Sequence, residues 1–172
     1  MADRAASELM ERAAAMAGEC EATYHGCAQC VLLAIQRAVD LESEDTFRAA
    51  TGLSAGIGCL GMTCGALTGA VLALGLAVGR ATSDLGTGSK VHWDNYRLVK
   101  SLVQQFRAKY GEDLSCHAIQ KQTLGRSFDL WDPVDQVAFK ELGARETGCA
   151  SVVGDGASWA VDLILHHQSE SL

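Results

Sequence analysis

Proline occurs once in the 172 residues, aromatic side chains make up 6%, and no run of lysine or arginine is present. One proline in a chain that is 48% hydrophobic excludes a proline-rich linker and a disordered segment of any size. The absence of a basic run, with a formal charge of −7, removes the footprint that phosphate contacts need and excludes nucleic acid as a partner. The opening stretch MADRAASELMERAAAMAG carries Asp3, Glu8 and Glu11 among its alanines. It lacks the continuous apolar centre of a secretory signal, so a cytoplasmic protein is expected. No stretch alternates polar and apolar residues for the length of a strand, which leaves an all-α fold.

Helical spacing is abundant. Leu9, Ala13, Met16 and Ala17 form one stripe, and Ala28, Val31, Leu32, Ile35 and Val39 form a second. Thr46 to Ala50 predicts a short helix stopped near Gly52. Val99, Leu102, Val103, Phe106 and Tyr110 predict a longer one closed by Gly111. Cys116 to Leu124 reads as a helix stopped by Gly125. Val153, Ala157, Ala160, Val161 and Ile164 mark a last helix whose first half is weakened by Gly154 and Gly156. Asp132-Pro133 reads as a turn, Ser83 to Lys90 as an exposed loop, and the terminal HHQSESL as a frayed tail.

Ala49 to Gly79 contains no charged residue and approaches the length of a membrane span. Gly52, Gly56, Gly58 and Gly61 break its first half. Its second half is Ala/Gly-rich, with no aromatic belt and no basic flank beyond Arg80. The reading is a buried helix with no stable membrane insertion. Gly65 and Gly69, and Gly75 and Gly79, each stand four apart and so predict faces for close helix contact. The expected architecture is one domain over 1–172, a compact bundle of about six to seven helices around this central Gly/Ala-rich helix. That smooth helix also makes a homodimer an expectation. Gly56-Ile57-Gly58-Cys59-Leu60-Gly61 spells GxGxxG but has no preceding strand, so it is not a dinucleotide fingerprint.

Seven cysteines, Cys20, Cys27, Cys30, Cys59, Cys64, Cys116 and Cys149, are the distinctive feature. An odd count with no export signal argues against a disulfide framework and for thiols, metal ligation or redox exchange. Cys27 follows Gly26, Cys64 follows Thr63, Cys116 follows Ser115, and Cys149 follows Thr147-Gly148, each where a helix is expected to start. Unpaired N–H groups there favour a thiolate and lower its pKa. Cys27-Ala28-Gln29-Cys30 is a CxxC that can form a reversible disulfide or clamp a metal. Val31 rather than His follows it, so no haem is expected.

Gly26-Cys27-Ala28-Gln29, the segment Cys64-Gly65-Ala66-Leu67-Thr68-Gly69, and the later single Cys116 and Cys149 resemble the C_GCAxxG_C_C family of redox-active proteins. The resemblance runs from about Cys20 to about Leu165. It implies that Cys27, Cys64, Cys116 and Cys149 are the family's four characteristic cysteines and that a transporter is a possible neighbour. Related domains accompany haem-binding segments in split-Soret cytochromes, where an iron–sulfur centre is implied. The chain departs from that branch by lacking CxxCH, and it adds Cys20, Cys30 and Cys59.

Three functions remain open at this point. In the first, Cys27, Cys64, Cys116 and Cys149 hold an iron–sulfur centre for electron transfer to an unidentified partner, with Cys59 and Cys30 as alternate ligands and zinc as an alternative metal. In the second, Cys27 and Cys30 form a cofactor-free redox pair with Cys64 or Cys59 as resolving thiol, acting on a thiol partner. The third is a non-enzymatic redox- or metal-sensing subunit beside a transporter. His25 and His117 flank two of the cysteines but are read as capping or solvated side chains. His92, His166 and His167 are peripheral, and Asp84, Asp94, Asp132 and Asp135 are loop or helix-start residues. Cys64 is expected to be the most sensitive cysteine, and Cys20, beside Glu19 at a helix end, the least.

Overall fold

The computed structural model describes residues 2–86 and 90–170. Among them there is no strand, only an isolated bridge between Thr63 and Ser115. The helices are α1 (Ala2–Tyr24), α2 (Cys27–Ala38), α3 (Glu44–Ala49), the four-residue α4 (Ser54–Ile57), α5 (Gly65–Val78), α6 (Val91–Tyr110), α7 (Cys116–Leu124), α8 (Pro133–Glu141) and α9 (Ala150–Glu170). A π-helical turn over Arg145–Cys149 leads directly into α9.

Local signals explain most of the boundaries. Ser43 caps α3 by accepting from the Thr46 N–H, and Ser115 caps α7 by accepting from the Ala118 N–H at 3.1 Å. Gly111 and Gly125 follow α6 and α7 with φ of 85° and 84°, values that glycine reaches without strain. The Asp132-Pro133 pair, expected to be a turn, starts α8. Asp132 accepts from the Val134 N–H at 2.8 Å, and Pro133 takes the first helical position, where its missing N–H costs nothing. The last helix extends through the expected tail to Glu170, with residues 171–172 outside the described set. Of the expected loop at 83–90, Thr82–Asp84 forms a 3₁₀ turn and residues 87–89 lie outside it.

α9 packs against α1, α2, α5 and α6, while α5 packs against α2, α6 and α9. The large core joins Leu32 and Ile35 of α2, Leu74 of α5, Leu102 and Phe106 of α6, and Val153, Val161 and Ile164 of α9. Each such side chain contributes about 1.5–3 kcal/mol by leaving water. α9 runs through Gly154 and Gly156 without a break. A Cβ at either would press on the Ala14 or Ala66 carbonyl oxygen at 3.2 and 3.1 Å, so both let α9 approach α1 and α5 closely. Gly69 plays the same part in α5, where a Cβ would overlap the Ala28 backbone of α2. The second glycine pair of α5 does not: nothing lies within 4 Å of a Cβ on Gly75, and Gly79 ends the helix.

The charge-free segment resolves into a 3₁₀ turn, α4, a glycine loop and the 14 residues of α5, a helix shorter than a membrane span. The stretch Arg145–Ser169 is long and apolar enough to cross a membrane by length and composition, and nearly half of its most apolar window is buried in the bundle. A second, smaller core of Phe128, Phe139 and Ala144 lies under α8.

Candidate functional site

Cys64 and Cys116 are brought side by side by a short run of backbone pairing. The Cys64 N–H donates to the Leu114 carbonyl, the Cys116 N–H to Met62, and the His117 N–H to Gly61. Gly61 is required there, because a Cβ would overlap the His117 ring. Cys64 caps α5, and Cys116 opens α7 after Ser115. Cys27 opens α2 after Gly26, whose φ of 92° places it in the left-handed region. The Cys27 Sγ accepts from the Ala55 N–H at 3.3 Å, and the Ala28 N–H donates to Ser54 Oγ. The loop that supplies Ala55 has left-handed φ at Ala55, Ile57 and Cys59 as well as at Gly56, Gly58 and Gly61. That winding turns Cys59 toward the same region.

Cys27, Cys59, Cys64, Cys116 and Cys149 all line one cavity of about 550 Å³. Glu21 and Arg145 also face it, and part of its wall comes from Leu130, Val137, Phe139 and Lys140 around α8. Trp131 ties this wall to the glycine loop, its indole N–H donating to the Gly58 carbonyl at 2.9 Å. Gln120, 3% exposed, joins wall to thiol. Its Oε1 accepts from the Phe128 N–H at 2.9 Å, and its Nε2 donates to Cys116 Sγ at 3.5 Å.

The electrostatics reverse one expectation. Three of the four thiols do stand at helix starts, but burial pushes Cys27, Cys64 and Cys116 up to about 12. Neighbouring thiols push the same way, and the N–H groups of Ala55, Ala66 and Leu67 offset only a little. Loss of hydration outweighs the helix-end charge once a thiolate would be sealed from water. Cys149 is also raised by burial, and it is not at a helix start. It ends the π-helical turn, with its N–H on the Ala144 carbonyl.

Glu21 is 5% exposed with Oε2 lacking any partner. Burial raises its carboxyl to about 7, and Arg145 only partly counters this. The sequence carried a signal for it, since Glu21 continues the buried Ala13 and Ala17 at i+4 spacing. Gln120 likewise follows Cys116 by four residues. His25 reaches the cavity edge, its Nδ1 paired with the Glu21 carbonyl, whereas His117 packs on Gly61.

Cys30 is not the partner of Cys27. It forms a disulfide with Cys20 of α1, Cα to Cα 5.4 Å, so neither it nor Cys20 is a free thiol here, and the structure pairs Cys30 with Cys20 rather than with the expected Cys27. Packing of α1 along α2 decides this. A CxxC places two sulfurs on one helix face, and here the facing helix supplies a nearer partner. Among the described residues, no three His, Cys, Asp or Glu side chains stand close enough to grip one metal ion.

Residues 25–163 match the model of a family described as Putative redox-active protein (C_GCAxxG_C_C). The chain has no significant match among curated proteins or among solved structures. The family match covers well over half of the chain and all five cavity cysteines, and on that ground the protein belongs to the C_GCAxxG_C_C family.

Proposed function

We propose that the protein is an electron carrier whose cavity holds an iron–sulfur centre on Cys27, Cys64, Cys116 and Cys149, with Cys59 as the alternate ligand. The observation that carries this reading is the convergence of every free cysteine on one cavity. A donor set of sulfur alone suits iron–sulfur clusters and soft ions. A single zinc ion needs its sulfurs within about 2.3 Å of one point. A polynuclear centre spreads its ligands further apart than a single ion does. When bound, such a centre supplies one-electron transfer at a potential tuned by burial and by hydrogen bonds to sulfur.

The chain's own residues set those conditions. Ala55 N–H and Gln120 Nε2 donate to the sulfurs of Cys27 and Cys116 and so favour the more negatively charged, reduced state. Burial keeps the thiols protonated in the metal-free protein, so binding the centre releases protons and its affinity rises with pH.

Purification without exposure to oxygen, followed by iron and acid-labile sulfide analysis, tests the reading. Both elements are expected in matched amounts, with loss of both in Cys64→Ser. Zinc without sulfide, or neither metal nor sulfide, overturns it.

A further inference from the structure

The Cys20–Cys30 disulfide takes no part in that reading, yet it adjoins the cavity at two points. Glu21, the next residue after Cys20, lines the cavity, and so does Cys27, one turn before Cys30 on the same face of α2. Between the two cysteines, ten positions apart, the chain reverses through His25 and Gly26, both left-handed, and both also on the cavity wall.

The two sulfurs differ in access. Cys30 is 1% exposed, while Cys20 is only partly covered on α1. Thiol–disulfide exchange needs a thiolate to reach one sulfur in line with the bond to the other, and of the two cysteines only Cys20 offers exposed surface for that approach. The buried side is prepared for the opened state as well. The Cys30 sulfur lies 3.4 Å from the His25 carbonyl oxygen, so a Cys30 thiol has an acceptor waiting and leaves no orphaned donor in the core.

We infer that Cys20–Cys30 is a redox-active disulfide that accepts two electrons from an external dithiol, with Cys20 as the sulfur attacked and Cys30 as the sulfur released. The incoming thiolate bonds to Cys20 Sγ. The Cys20–Cys30 bond breaks with its electron pair on Cys30, which takes up a proton from water, and the resulting S–H donates a hydrogen bond to the His25 carbonyl. The second thiolate of the reductant then attacks its own sulfur in the mixed disulfide, and Cys20 departs and is protonated. Two electrons and two protons have moved, leaving the reductant as a disulfide and Cys20 and Cys30 as thiols. The inference is independent of what the cavity binds.

The full-length protein is equilibrated without oxygen in dithiothreitol buffers of graded reduced-to-oxidised ratio, quenched in acid, alkylated and mapped by mass spectrometry, with circular dichroism recorded in parallel. The bond is expected to open and re-form reversibly while the helical signal is unchanged. Opening only after the helical signal is lost overturns the inference. In oxidised glutathione, Cys20 of Cys30→Ser is expected to be modified at least about tenfold faster than Cys30 of Cys20→Ser. Equal rates, or faster modification of Cys30, overturn the assignment of roles.

Discussion

The Cys27 sulfur occupies the space that a side chain at position 65 would fill: a Cβ on Gly65 overlaps Cys27 Sγ and presses on the Ala28 N–H at 3.2 Å. The glycine after Cys64 is therefore what lets the first thiol of α2 reach the start of α5. Gly65→Ala is expected to destabilise by about 1–3 kcal/mol through overpacking and to lower iron content. Gly75→Ala, where the space is open, is expected to stabilise by up to about 1 kcal/mol. Urea denaturation of both variants, with metal analysis, checks the pair.

Glu21 makes stability depend on pH. Its folded pKa, about 7, lies above the ordinary 4.5, so the folded state holds a proton that the unfolded state gives up. The stability tied to that proton is complete below pH 4.5 and lost as pH rises through 7, a change of about 3 kcal/mol. Glu21→Gln is expected to remove this loss, so that the gap between variant and wild type in the metal-free protein opens between pH 5 and 8. Denaturant titrations at the two pH values read it directly.

Thiol reactivity in the metal-free protein should follow burial rather than helix position. With Cys27, Cys64 and Cys116 near 12, iodoacetamide at pH 8 should label them about a thousandfold more slowly than an ordinary thiol, from thiolate fraction alone. Peptide mapping over time measures the rates. Labelling as fast as a free cysteine peptide contradicts thiols raised this far.

Gln120 is a single amide serving two neighbours. Gln120→Leu leaves the buried Phe128 N–H without an acceptor, at a cost of about 1–3 kcal/mol, and removes the donor to Cys116 Sγ. In the loaded protein the reduction potential is expected to fall, since the reduced state loses a stabilising hydrogen bond. Gln120→Glu, which keeps an acceptor for Phe128, is expected to recover part of the stability but not the potential.

What could be read in advance was local. The Cys116–Leu124 helix and its Gly125 stop, the Gly111 stop and the CGAxxG segment all depend on neighbours in sequence, and the structure places them as expected. The misread features need a second element. Asp132-Pro133 suits both a turn and a helix start, and burial of Phe139 settles it. Thr147-Gly148 resembles a cap, but a Cβ on Gly148 would overlap the Leu124 side chain, and the chain runs through it without a break into α9. The thiol pKa depends on how deeply packing buries each sulfur, and the Cys20 pairing on how α1 lies along α2. Neither quantity exists until the helices have packed.

Among the described residues the wall around α8 rests on a small cluster, buried Phe128, Phe139 and Ala144 with partly buried Leu124, Leu130, Ala138 and Cys149, apart from the main core. A patch with so few apolar contacts opens at a lower free energy than the whole domain unfolds. The order of maturation follows from this difference. On the proposed iron–sulfur reading, the bundle can fold first with its thiols protonated and take up the centre afterwards, this wall yielding while Leu32, Phe106 and Ile164 stay packed. Hydrogen exchange should accordingly be faster at the amides of 133–141 than in α2 or α9, and cofactor insertion should slow when that segment is cross-linked shut.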